Sequence, residues 1–278
     1  MTDFVTLPAT VSRDSVTVEY EWLASEGRDA PVVVFLHEGG APAASGEAPD
    51  DWPMALGRAL TRALGMRGLV HSRPGSGWPA TLRAHPHPWP IDLLRQQACD
   101  ILPGLLDALD IDPAHRRRMW IVGARDGATI ALLYAIAYPE ALAGVALIAP
   151  QVFAEPARTE DLLGARATFE TTNLHKRLGR FHGDAVATHD APPAQTPPEP
   201  SLVNWNLEGE LDAIRCPVLA LPANADEDEC FARHLDALRL HATRARPLEI
   251  PPAPPADRDA LIDTIVRFIE RCTPLSQN

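Results

Sequence analysis

Five successive apolar residues, Val32-Val33-Val34-Phe35-Leu36, make the most demanding segment of this chain. None is polar and three are β-branched, so the run cannot alternate between core and solvent. A strand of this kind needs cover on both faces, as in a parallel sheet with helices packed on each side. Met119-Trp120-Ile121-Val122, Val145-Ala146-Leu147-Ile148 and Pro217-Val218-Leu219-Ala220-Leu221 repeat the pattern. Gly68-Leu69-Val70 reads as a shorter strand running into His71, and a last strand is expected near Leu248-Glu249-Ile250. Val16 to Leu23 alternates and predicts a half-exposed strand.

Helical periodicity lies between these runs. It covers Asp51 to Leu64, Ile91 to Leu109, Gly127 to Tyr138 and about Glu229 to His241. Leu94, Ala98, Ile101, Leu105 and Leu109 share one face of the second, which Pro103-Gly104 should kink. The last helix is expected from about Asp257 to Arg271. Asp257 would be its N-cap, with acid in the first turn and arginine near the end. Alternating strands and helices with right-handed crossovers imply an α/β fold whose central sheet is mostly parallel.

Length and charge narrow the function. At 278 residues the chain is one large domain, or one with an insertion. Hydrophobic residues make up 46% and charged residues 22%, which argues against a mainly disordered chain. The net charge of -12 argues against nucleic-acid and anionic-membrane partners, both of which need positive fields. The four cysteines are scattered without C-x-x-C spacing, so neither a zinc knuckle nor a redox pair is expected. No apolar stretch approaches ~20 residues, and no signal segment is read at Met1-Thr2-Asp3-Phe4. A cytoplasmic protein with reduced cysteines is the expectation.

Residues 151–212 break the strand–helix rhythm. Positions 191–200 hold five prolines and no large apolar side chain, so they are expected to form an exposed part of an insertion.

Three segments in order resemble the α/β-hydrolase superfamily. A buried strand ends in His37-Glu38-Gly39-Gly40, similar to that family's oxyanion-hole loop. Ser72-Arg73-Pro74-Gly75-Ser76-Gly77 is similar to the arginine–glycine turn after the next strand. Ile121-Val122-Gly123-Ala124-Arg125-Asp126-Gly127-Ala128 is similar to the nucleophile elbow. The resemblance implies an α/β-hydrolase core at 1–150 and 213–278, with residues 151–212 as a small inserted cap. It also implies backbone donors at Gly39 and Asp126, with His37 orienting the loop.

The catalytic positions depart from the family pattern. The elbow keeps its glycine spacing, but Arg125 stands where the serine nucleophile belongs. A guanidinium stays protonated and offers no lone pair, so it cannot be a nucleophile. Asp126 leaves the turn in a different direction and is not expected to substitute. Leu221-Pro222-Ala223-Asn224-Ala225-Asp226 points to Asp226 as the triad-acid position, with Glu227, Asp228 and Glu229 close enough for a register shift. The triad histidine should follow the last strand. That loop is Pro251-Pro252-Ala253-Pro254-Pro255-Ala256, and the last histidine of the chain is His241. With the histidine gone, the Arg125 guanidinium is expected to reach the Asp226 carboxylate, the alternative being that it extends to solvent or meets another acid.

Other candidates are weaker. His85-Pro86-His87 reads as a solvated loop rather than a metal site, and His182 and His189 fall in the insertion. Gly75-Ser76-Gly77 lacks the third glycine of a dinucleotide fingerprint. Phe153 and Trp205 are candidates for cleft lining or for core. The expectation is therefore a hydrolase-like protein without serine-hydrolase chemistry, acting as a small-molecule binder or scaffold and needing no cofactor or metal. The competing reading is a hydrolase with non-standard machinery, using Asp226 or a cap histidine. The sequence says nothing about oligomeric state.

Overall fold

A computed structural model describes residues 2–10, 14–23, 27, 29–37, 52–73, 91–154, 204–222 and 229–273. Eight strands form one sheet: β1 (Thr2–Leu7), β2 (Val16–Leu23), β3 (Val32–Leu36), β4 (Arg67–His71), β5 (Trp120–Ala124), β6 (Gly144–Ile148), β7 (Val218–Leu221) and β8 (Leu248–Glu249). Their order is β1-β2-β4-β3-β5-β6-β7-β8. β1 and β2 are antiparallel to their neighbours, and every other pairing is parallel. β3 and β5 are buried along their whole length, as their uninterrupted apolar runs require. β1 has no such run. It is an edge strand, and its place in the sheet comes from pairing with β2.

Helices cover both faces: α1 (Trp52–Leu64), α2 (Ile91–Gln96), α3 (Leu102–Ala108), α4 (Pro113–Arg116), α5 (Asp126–Ala137), α6 (Glu229–His241) and α7 (Arg258–Cys272). One face of the sheet, with Leu36, Ile121 and Leu147, packs on α2, α3 and α5. The other, with Phe35, Trp120 and Leu219, packs on α1 and α7. There the Trp120 and Phe268 rings meet edge to face, with centroids 5.8 Å apart. The Asp257 carboxylate accepts from the Ala260 N–H at 2.8 Å and caps α7, as its sequence predicts.

The expected kink at Pro103-Gly104 takes another form. The helical path runs from 91 to 108, and residues Gln97–Ile101 widen into a π-helical turn just before Pro103. Proline has no N–H to offer the carbonyl four residues back, that of Cys99. The Tyr138 hydroxyl donates to that carbonyl at 3.1 Å and fills the vacancy.

The two ends of the 151–212 stretch meet. Phe153 and Asn206 form an antiparallel bridge, Ala154 N–H donates to Trp205 O at 2.8 Å, and Leu207 N–H donates to Val152 O at 2.8 Å. After the bridge, a 3-10 turn at Glu208–Ala213 buries Leu211 in the core beside α5. Arg95 of α2 grips the Glu210 carboxylate with both terminal nitrogens and ties this return segment to the helical layer.

Candidate functional site at the carboxyl edge of the sheet

The turn from β5 into α5 is the centre of the site. Arg125 has φ 51° and ψ -116°, a left-handed conformation that an L-residue holds only under constraint. Its N–H continues the ladder to Ile148 O at 2.9 Å, and its carbonyl accepts from Thr129 N–H at 3.0 Å. The Thr129 hydroxyl reaches Gln151 O at 3.1 Å and joins α5 to the chain beyond β6.

The glycines on either side make this turn possible. A Cβ at Gly123 would stand 2.4 Å from the Gly127 carbonyl oxygen, and a Cβ at Gly127 would stand 2.0 Å from that of Leu36. Real Cβ atoms do not approach backbone so closely. The spacing of the two glycines therefore lets α5 start directly against the ends of β3 and β5.

That contact places the end of β3 beside the first turn of α5. Leu36 is in register with Gly123, Ala124 with Ile148, and Ile148 with Leu221. His37, 2% exposed, follows Leu36. Asp126 is the first residue of α5 and is 3% exposed. N–H groups in a helix's first turn point out of its amino end rather than into the ladder. Gly39 and Asp226 lie outside the described residues, as do Pro74 to Gly77, His85, His87, His182 and His189. Arg125 and Asp126 are the predicted site residues that the structure describes, and it sets them side by side at this edge.

The end of β4 and the two residues after it supply three buried polar residues: His71, Ser72 and Arg73. Ser72 is held by Glu19, with its N–H on the Glu19 carbonyl at 2.8 Å and its hydroxyl on the carboxylate at 2.7 Å. Burial, helped by the Arg73 charge, pushes the His71 imidazole down to about 4, so the ring is neutral near pH 7.

His234 on α6 is fully buried, and sequence reading passed over it. The Val152 N–H donates to its Nδ1 at 3.3 Å, and the Phe153 ring lies 4.2 Å away. A ring nitrogen that accepts carries no proton, so neutral His234 holds its proton on Nε2. Its signal was its spacing, four residues before buried Leu238 on the inner face of α6. Phe153 and Trp205 are half-buried and pack against the core where the two ends of the 151–212 stretch meet. The loop after β8 is exposed or half-buried and has no imidazole; Asp257, which follows it, caps α7. Among the described residues no three histidines, cysteines or acids group as metal ligands, and no helix is long and apolar enough to cross a membrane.

A mostly parallel eight-stranded sheet, helices on both faces and a strained turn after the fifth strand define the α/β-hydrolase fold, and this chain has it. Solved structures of the same fold bear this out over nearly the whole length. A hydrolase from Pseudomonas aeruginosa PA01 superposes with a TM-score of 0.61 at 18% identity, over 96% of this chain and 98% of that one. The enol-lactonase from Burkholderia xenovorans LB400 gives 0.58 at 19% identity, over 91% and 96%. A thermophilic esterase from Thermogutta terrifontis, solved with malate bound, gives 0.60 at 16% identity, over 97% and 99%. No protein-family model matches the chain, and no curated protein matches it by sequence.

Proposed function

We propose that this chain is a small-molecule binder built on a hydrolase fold, without serine-hydrolase chemistry, and that its ligand carries a carboxylate held by Arg125. The observation behind this reading is the residue at the strained turn between β5 and α5. A serine hydroxyl there could attack an ester. A guanidinium instead offers a permanent positive charge and forked N–H donors, which suit a carboxylate. The proline-rich loop after β8 supplies no general base. The malate-bound Thermogutta terrifontis esterase is a carboxylate complex on the same fold. Residues 151–212 would act as the cap over the site, a reading supported by the Phe153–Asn206 bridge that closes their base.

The test combines a fluorophosphonate probe, a panel of short-chain esters and calorimetric titration with small carboxylates. The expected result is no labelling, no ester turnover above buffer, and carboxylate binding that disappears in Arg125→Gln. Stoichiometric modification of one serine would overturn the reading. Ester turnover abolished by Asp226→Asn, His182→Gln or His189→Gln would overturn it in favour of non-standard catalysis.

A further inference from the structure

His71 ends β4 at the carboxyl edge of the sheet and is 3% exposed. Its Nδ1 lies 3.4 Å from the Ser72 carbonyl oxygen. A carbonyl can only accept, so that nitrogen carries the proton and the neutral ring keeps its lone pair on Nε2. Nε2 is buried and, among the described residues, has no hydrogen-bond partner. Buried polar atoms in folded proteins nearly always have one, so this nitrogen is an acceptor awaiting a donor.

Its place in the sheet says where the donor would be. Phe35 pairs with Val70, so His71 stands beside Leu36 and on the same face. Leu36 in turn has its carbonyl against Gly127, in the first turn of α5. His71 is therefore two strands, roughly 10 Å, from β5 along the edge where Arg125 turns.

We propose that His71 is a ligand-contacting residue, its Nε2 accepting a hydrogen bond from the hydroxyl of a small hydroxycarboxylate whose carboxylate is held by Arg125. This rests on the reading of Arg125 given above and adds the second polar group of the ligand. The two residues together select a hydroxy acid over the plain acid of the same length, because only the former supplies a donor to the buried nitrogen.

The experiment titrates butyrate and 2-, 3- and 4-hydroxybutyrate into the wild-type chain and into His71→Leu and His71→Gln, read by calorimetry or ligand-observed NMR. Wild type should bind at least one hydroxybutyrate about fivefold more tightly than butyrate, the size of one net hydrogen bond. In His71→Leu that ratio should fall to within about twofold, and His71→Gln, which keeps an acceptor, should retain part of it. Equal wild-type binding of all four acids overturns the role of His71 and leaves that of Arg125 standing. A preference that survives in His71→Leu does the same. Binding of none of the four by wild type overturns both. The wild-type comparison needs no variant to fold.

Discussion

The Leu36 carbonyl oxygen and the Cα of Gly127 are packed so closely that a Cβ on residue 127 would lie 2.0 Å from that oxygen. Through this contact the end of β3 meets the start of α5, and it sets the height at which Arg125 leaves the sheet. Gly127→Ala forces backbone from backbone and should destabilise the fold by about 3 kcal/mol. Denaturant unfolding measures this, and a change below about 0.5 kcal/mol would show that the helix start shifts freely.

Arg125 holds a left-handed φ of 51°. Replacing it with glycine or alanine removes the same side-chain contacts, but only glycine relieves the backbone. Arg125→Gly should therefore be more stable than Arg125→Ala by about 1 kcal/mol, despite the entropy glycine loses on folding. The reverse order in thermal or denaturant unfolding would mean that the turn is not under strain.

Arg125→Ser should not create an esterase. The serine would sit at the right turn but would have no general base, because the loop after β8 is Pro251-Pro252-Ala253-Pro254-Pro255-Ala256. Single-turnover assays with activated esters check this. Ordinary esterase rates from this one substitution would reveal a general base elsewhere in the chain.

The Arg125–Asp226 pair is tested by a double-mutant cycle, since Asp226 lies outside the described residues. If the two side chains form a buried pair, Asp226→Ala strands the guanidinium and should destabilise by roughly 3–5 kcal/mol. The double variant with Arg125→Ser should then cost less than the sum of the singles, by about 1 kcal/mol or more. Strict additivity would mean that Arg125 has another partner.

His71 makes stability depend on pH. Its folded-state value of about 4 is below the ordinary 6.5, with burial the main cause and the Arg73 charge adding to it. The unfolded chain then binds more protons between these values, so stability is full above about pH 6.5 and falls as pH drops towards 4. The loss from this residue is roughly 3 kcal/mol. Unfolding curves at pH 7 and 4.5 should converge in His71→Gln compared with wild type. Parallel losses in both proteins would place the acid sensitivity elsewhere.

The sequence by itself determined the local pieces. The uninterrupted apolar runs at 32–36 and 145–148 can only be central strands, because no choice of register exposes one face without exposing hydrocarbon. Asp257 capped α7, and the glycines at 123 and 127 marked the turn at Arg125. These are short-range effects of side-chain polarity, capping and steric room, all written within a few residues. Tertiary structure decided the rest. β1 is a strand because β2 offers it a ladder, and the helix before β5 widens at Gln97–Ile101 where Tyr138 can satisfy Cys99. His71 and His234 had ordinary sequence surroundings. Their buried rings, one with its Nδ1 against the Ser72 carbonyl and the other accepting from Val152, depend on strands and helices far apart in the chain being brought to one edge. Hydrogen bonding and desolvation at that edge depend on distances in space, which residue order alone does not contain.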